Sequence, residues 1–409
     1  MSAAGSPTVL IVHPGGLMPV RGGGAARVWA LIDFLRSRGL RVDLITGNHG
    51  EYDAAIARRV DRLWQPPQGV ADNGMAAVSL RTRVRRRMER LRDAASRRLW
   101  SGVAPPGSRL ATWLEENRRP SLELLTGQAA YAEPPLAVIA VYAGLARALD
   151  HAPPGVLRVL DTIDVQHKRS AVARAAGGDL SHIACGREEE ARELRRADLL
   201  LAIQAEEADE LRAMCPGVSV LLVQHAQAMP EYAPSPDASR EVLCVGNLYD
   251  PNVRGLLAFL EQAWPHVIEA VPDARLVVAG RVGEAVPRGT RGVRVEGVVA
   301  DIAPLYARAA AVINPVPYGT GLKIKSVEAL THGRCLVCTP AGLQGLGAPE
   351  ELPVLCAETA NGMAAPLIRM LTDSAARREL EARARAFAKA RYSPEAVYGP
   401  FVDLLRARA

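Results

Sequence analysis

Residues 8–14 read T-V-L-I-V-H-P and residues 41–46 read R-V-D-L-I-T. Both are short apolar runs of strand type. Between them lie five glycines from Gly15 to Gly24, and then Ala25 to Arg38, where Val28, Leu31, Ile32 and Leu35 recur at helical spacing. Gly39 follows as a C-cap. Strand, glycine-rich turn, helix and strand in that order make a βαβ unit, the start of an α/β domain with a parallel sheet. The G-x-G-x-x-G dinucleotide fingerprint is not matched. The glycines still leave room for a phosphate or a sugar to approach the backbone.

Outward from that unit the alternation continues. Periodicity is poor from about Glu51 to Pro135, and no element is assigned there. Strand-type runs resume at 137–143 and 156–164, followed by helix 187–196, strand 198–204, helix 206–214 and strand 218–223. The run 156–164 ends in D-T-I-D-V-Q-H-K-R, which clusters Asp161, Asp164, His167, Lys168 and Arg169 where open α/β sheets place their ligands. Asp164 and His167 are therefore candidates for positioning an acceptor or a reacting group. The plainer reading is that Asp161 and Asp164 cap the next helix and that His167 is a surface imidazole.

A Pro-, Ser- and Ala-rich stretch at 226–239 then interrupts the pattern and reads as a linker. After it the alternation restarts with strand 241–247, helix 252–270, strands 274–281 and 293–298, and helix 302–309. Strands at 311–314, 335–339 and 354–357 and two C-terminal helices complete it. A chain of 409 residues exceeds one typical core. The expected architecture is α/β, two Rossmann-like domains facing each other across a cleft. The first covers 1–228 with a basic helical insertion near 80–100, a linker covers 229–240, and the second domain covers 241–390. A C-terminal helix over 391–409 is expected to pack back on the first domain.

Within the second domain one stretch carries chemistry, Asn314 to Leu330, N-P-V-P-Y-G-T-G-L-K-I-K-S-V-E-A-L. A strand runs into a loop flanked by Gly319 and Gly321, and a helix follows with Lys323, Lys325 and Glu328. A helix N-terminus offers unpaired N–H groups and roughly half a positive charge. Two lysines there add like charge, a conflict that a diphosphate between them would remove. Glu328 could accept hydrogen bonds from ribose hydroxyls. The competing reading makes Lys325 and Glu328 a surface ion pair of small value.

Composition narrows the rest. Hydrophobic residues make up 49% of the chain, and no apolar run approaches the length of a membrane span. No signal peptide is apparent at the N-terminus, so the expected location is cytoplasmic. The six cysteines read as free thiols. Cys335 and Cys338 form a C-x-x-C inside an apolar strand, which would point them to opposite faces. The net charge of +6 has a local source in 81–100, where Val84, Met88, Leu91, Ala95 and Leu99 face one way among arginines. Such a helix can rest on an anionic membrane surface or lie solvated on a larger fold. Aromatics at 4% and the lack of a binding signature argue against nucleic acid.

The ordered motifs V-G-N-L-Y-D-P-N-V-R-G-L, L-V-V-A-G-R, V-x-V-E-G-V-V-x-D, Y-A-R-A-A-A-V-I-N-P, G-T-G-L-K-I-K-S-V-E-A-L-T-H-G-R and T-P-A-G-L-Q-G-L resemble the donor domain of GT-B glycosyltransferases, specifically glycosyltransferase family 4. The likeness extends to the first strand with its glycine loop and to Y-S-P-E-A-V at 392–397. It implies retaining transfer of a sugar from a nucleotide-diphosphate sugar to a glycan, lipid or small-molecule acceptor, with no metal and no cofactor beyond the donor. By that resemblance Glu328 holds the ribose, and Lys323 and Lys325 meet the diphosphate. Gly246, Asn247, Thr320 and Gly321 border the donor, Arg281 and Val298 lie near the nucleotide, and Gly22, Gly23 and Gly24 face it across the cleft. The chain departs from the family at Thr320, eight residues before Glu328, where many members carry a first glutamate. It departs again near Asn247, where an arginine is frequent. A GT-B-type sugar-nucleotide epimerase and a non-catalytic scaffold share the same plan. Turnover without acceptor would mark the first, and binding without turnover the second.

Overall fold

The computed structural model describes residues 6–20, 23–47, 50–67, 119–168, 186–319 and 322–408. Gly22, Arg169, Thr320, Gly321 and the basic stretch 81–100 lie outside the described residues.

The first half forms a seven-stranded parallel sheet from β1 (Thr8–His13), β2 (Arg41–Thr46), β3 (Arg62–Trp64), β4 (Ala137–Val141), β5 (Leu157–Asp161), β6 (Leu199–Ala202) and β7 (Ser219–Leu222). Its order is β3-β2-β1-β4-β5-β6-β7. β1, β4 and β6 are buried along their whole length, as expected for strands covered by helices on both faces. The second half repeats the plan with β8 (Glu241–Val245), β9 (Arg275–Ala279), β10 (Val293–Gly297), β11 (Ala311–Asn314), β12 (Cys335–Cys338) and β13 (Leu355–Cys356), in the order β10-β9-β8-β11-β12-β13. All these pairings are parallel. In each sheet the strand order reverses once, beside β1 in the first and beside β8 in the second. Open α/β sheets bind ligands at such reversals, beyond the carboxyl ends of the strands.

Several elements differ from expectation for local reasons. The helix expected over 252–270 is two helices, Asp250–Gln262 and Trp264–Ala270. Pro265 cannot donate to the first helix, so the chain restarts there. In the unassigned region the structure places the short helix Asp53–Ala57, β3 and the helix Pro120–Ala132. Cys335 and Cys338 point into different cores, one on each face of the second sheet. Burial pushes both thiols far above their ordinary range.

The chain crosses between halves twice. Residues 224–240 carry no regular element, yet they are fastened to the second domain by buried side chains. Arg377 donates to Ser235 Oγ at 3.0 Å and to Pro236 O at 2.9 Å, and Arg334 donates to Ala233 O at 2.8 Å. Glu381 accepts from Ser235 N at 3.1 Å and pairs with Arg334. The helix Pro394–Arg406 then returns and buries Val397, Tyr398, Phe401, Val402 and Leu405 in the core of the first domain. Tyr398 donates to Arg27 O at 3.3 Å, tying that helix to the helix Gly23–Ser37. Among the described residues no helix is long and apolar enough to cross a membrane.

Candidate functional site

The two reversal points meet. A cavity of about 450 Å³ opens between the halves, lined by Gly23 and Asp164 from the first domain and by Gly246, Asn247, Lys323 and Lys325 from the second. Gly23 opens the helix after the glycine-rich turn, and a Cβ there would lie 2.1 Å from Ile324 Cδ1. A side chain at Gly23 would therefore have to displace the side chain of Ile324, the first residue of the helix Ile324–Thr331.

The floor of the cavity is backbone. Gly280, just past β9, has φ +88°, and a Cβ there would stand 2.3 Å from Gly246 O. Only glycine lets the turns after β8 and β9 approach this closely. A Cβ on Gly246 would come within 3.3 Å of Lys325 Nζ, so the lysine head lies directly on that turn.

Lys323 is the N-cap of the helix Ile324–Thr331, and Lys325 sits in its first turn. Lys325 Nζ donates to Asn252 Oδ1 at 2.6 Å, and Lys323 Nζ donates to Gln344 Oε1 at 3.2 Å. Burial lowers the pKa of both amines, Lys323 to about 8, with Asp164 opposing that shift from across the cleft. Cations held among desolvated surroundings near a helix N-terminus attract an anion more strongly than cations in water. Glu328 lies one turn further on. Its Oε2 accepts from Tyr306 Oη at 3.0 Å, and burial raises its pKa against the pull of Tyr306 and Lys325. Tyr306 in turn stacks on His332 with ring centroids 4.2 Å apart.

The other sequence candidates divide. Asp164 reaches the cavity, and Gly24 packs under Tyr142, whose hydroxyl would lie 2.2 Å from a Cβ there. His167 is not among the residues lining the cavity. Its Nδ1 meets Glu190 Oε2 at 2.8 Å, and its backbone N–H donates to the same oxygen. Asp161 is neither cap nor ligand, because it is buried in an ion pair with Arg27 at 2.9 Å. Arg281 is exposed and pairs with Glu284 at 2.9 Å, and Val298 is 77% exposed beyond β10. Neither lines the cavity. Sequence reasoning missed Asn252, Gln344, Tyr306 and Glu207. None of them left a local signal: Gln204, the N-cap before Glu207, makes no side-chain cap bond, and Glu207 turns instead to Val165 N.

Residues 239–373 match the family model described as Glycosyl transferases group 1. An uncharacterized 44.6 kDa protein in the cps region of Klebsiella pneumoniae is 25% identical over 169 residues, 38% of this chain. The match spans 44% of that relative's length. Among solved structures, HepE of Anabaena in complex with UDP and glucose aligns with a TM-score of 0.63 at 11% identity, covering 98% of this chain and 100% of its own. TarM, a protein of S. aureus, aligns at 0.67 with 9% identity and 98% of each chain covered. Sucrose-phosphate synthase of Thermosynechococcus elongatus aligns at 0.66 with 17% identity, again over 98% of each. The second half thus carries a group 1 glycosyl transferase domain, and the chain as a whole has the two-domain GT-B fold.

Proposed function

We propose that the protein is a retaining, metal-independent glycosyltransferase, which takes a sugar from a nucleoside-diphosphate sugar and passes it to a glycan, lipid or small-molecule acceptor in the cytosol. The observation that carries the reading is the pair Lys323 and Lys325 at one helix start, lining the same cavity as the backbone turn at Gly246 and the first domain's Gly23 and Asp164. The neighbours HepE and TarM were solved with UDP, which favours a uridine nucleotide here.

As the donor bond breaks, negative charge grows on the diphosphate. Amines and helix N–H groups already aimed there stabilise that charge more than they stabilise the ground state. In this reading Glu328, one turn beyond Lys325 and outside the residues lining the cavity, would accept from ribose hydroxyls. In front-face retention the leaving phosphate oxygen takes the acceptor's proton. No pair of glycosidase-type carboxylates is then required. Asp164, on the first domain's side, faces the reacting sugar and the acceptor.

A thermal-shift and calorimetric screen of the full chain against UDP-, GDP-, ADP- and dTDP-sugars tests the reading, since a ligand that binds only the folded form raises its melting point. One nucleotide series should stabilise the protein, and Lys325→Ala should abolish most of that shift. Failure of every nucleotide to bind would end the proposal. Turnover of a bound donor without any acceptor would replace it with an epimerase or hydrolase.

A further inference from the structure

The turn Thr162–His167 delivers Asp164 into the cleft, and its own backbone closes only its first part, where Asp164 N donates to Thr162 O at 2.7 Å. Ile163 adopts φ +62°, a conformation that β-branched residues avoid. A helix starts at Gln166, so the amides that follow Asp164 belong to a helix N-terminus and lack intrahelical acceptors. Carboxylates from two other helices take them. Glu190, on the helix Arg187–Leu194, accepts from Gln166 N at 2.8 Å through Oε1 and from His167 N at 3.0 Å through Oε2. Glu207, on the helix Ala205–Met214, accepts from Val165 N at 3.4 Å through Oε1.

The two glutamates differ in one respect. Both Glu190 oxygens are engaged, whereas Glu207 Oε2 is buried without a hydrogen-bond partner among the described residues. Glu207 is 7% exposed. The ionisable groups that face it are Asp164 on the turn, Glu190 on the neighbouring helix, Arg27 on the helix Gly23–Ser37 and Lys323 from the second domain. Burial and the charge of Asp164 raise its pKa to about 8, so at neutral pH it is a neutral acid.

We infer that Glu207 is a positioning residue for the proposed transfer, anchoring the turn that holds Asp164 in the cleft and thereby setting turnover without contributing to nucleotide binding. The inference rests on the donor-site reading above. Because the group acts uncharged, a glutamine should replace it and a small side chain should not.

The test compares full-length Glu207→Gln and Glu207→Ala with the native protein. Three quantities are measured: the Kd for UDP, the rate of nucleotide release from the sugar nucleotide found by the screen, and amide hydrogen exchange across 162–167. Glu207→Gln should match the native protein in all three. Glu207→Ala should lower the rate about tenfold or more with Kd within about twofold, and should speed exchange at Val165 to His167. The inference fails if Glu207→Ala leaves rate and exchange unchanged, if Glu207→Gln loses as much as Glu207→Ala, or if Kd weakens in step with the rate. A native protein that binds no nucleotide defeats the donor-site reading, and with it the catalytic part of the inference. The exchange comparison then still decides whether Glu207 holds the turn, and melting curves show whether either variant is misfolded.

Discussion

Lys325 Nζ and Asn252 Oδ1 stand 2.6 Å apart, a single hydrogen bond that joins the start of the helix Ile324–Thr331 to the helix following β8. It fixes a cation over the backbone turn at Gly246, where a diphosphate would lie. A charge-assisted bond from this amine contributes about 1.5–3 kcal/mol. Lys325→Ala should therefore slow nucleotide-sugar turnover by roughly ten- to a hundredfold. Asn252→Ala, which removes only the amine's tether, should cost a smaller factor. Steady-state kinetics on both variants check this ranking, and an equal loss in the two would mean that the amide itself touches the substrate. Lys325→Arg should not rescue, because the amine already lies within 3.3 Å of a Cβ position on Gly246 and leaves no room for a guanidinium.

Lys323 gives the donor site a pH dependence. Burial lowers its pKa to about 8 without ligand, and a bound diphosphate would raise it again. Nucleotide affinity should therefore hold below pH 8 and weaken as pH rises above it, with proton uptake on binding in that range. Calorimetry of UDP binding in buffers of different ionisation enthalpy reads the uptake directly. Lys323→Met should abolish the uptake and flatten the profile.

How much of this was legible in the sequence depends on distance along the chain. The βαβ units declared themselves because apolar runs, glycine turns and helical spacing are local signals, and β1, the helix Gly23–Ser37 and β2 fall where 8–46 put them. Lys323 and Lys325, which line the cavity, were readable for the same reason, lying two residues apart, whereas Glu328 stands one turn on, outside the cavity's lining. Tyr306, Asn252 and Gln344 were not, because each reaches the site only when the sheet folds, and nothing local distinguishes them. His167 shows the opposite failure. It follows a strand's carboxyl end, yet Glu190, 23 residues on, takes its ring. Asp161 was misread likewise, since its partner Arg27 lies 134 residues away.

Gly280 should be irreplaceable in a way that Gly289 is not. Both have positive φ, at +88° and +78°, so an alanine at either would carry left-handed strain of roughly 1–2 kcal/mol. At Gly289 nothing lies within 4 Å of the added Cβ, and the strain is the whole cost. At Gly280 the Cβ would stand 2.3 Å from the carbonyl of Gly246, so the turn forming the cavity floor must move. Gly280→Ala should cost about 3 kcal/mol or more and abolish UDP binding, whereas Gly289→Ala should bind UDP normally. Urea unfolding with calorimetry on the two variants checks the contrast.

Buried histidines and a buried acid should shape the stability of the native protein from opposite sides. His13 and His225 are 3% and 2% exposed, and burial lowers both pKa values from 6.5 to about 3. The unfolded chain binds the proton first, so their contribution is complete above about pH 6.5 and is lost as pH falls toward 3, at about 2 kcal/mol each by pH 5. Glu207 acts with the reverse sign. Its pKa is raised from 4.5 to about 8, so the folded state holds the extra proton and stability falls as pH rises through that interval. Together these slopes place the optimum on the slightly acid side of neutrality. Glu207→Gln, which cannot ionise, should move the optimum upward and steepen the acid limb above about pH 4.5, and His225→Gln should shallow the acid limb alone. Urea midpoints from pH 4.5 to 8.5 read both effects, and a native profile that stays flat from pH 5 to 6.5 would show that the two imidazoles are not buried in solution.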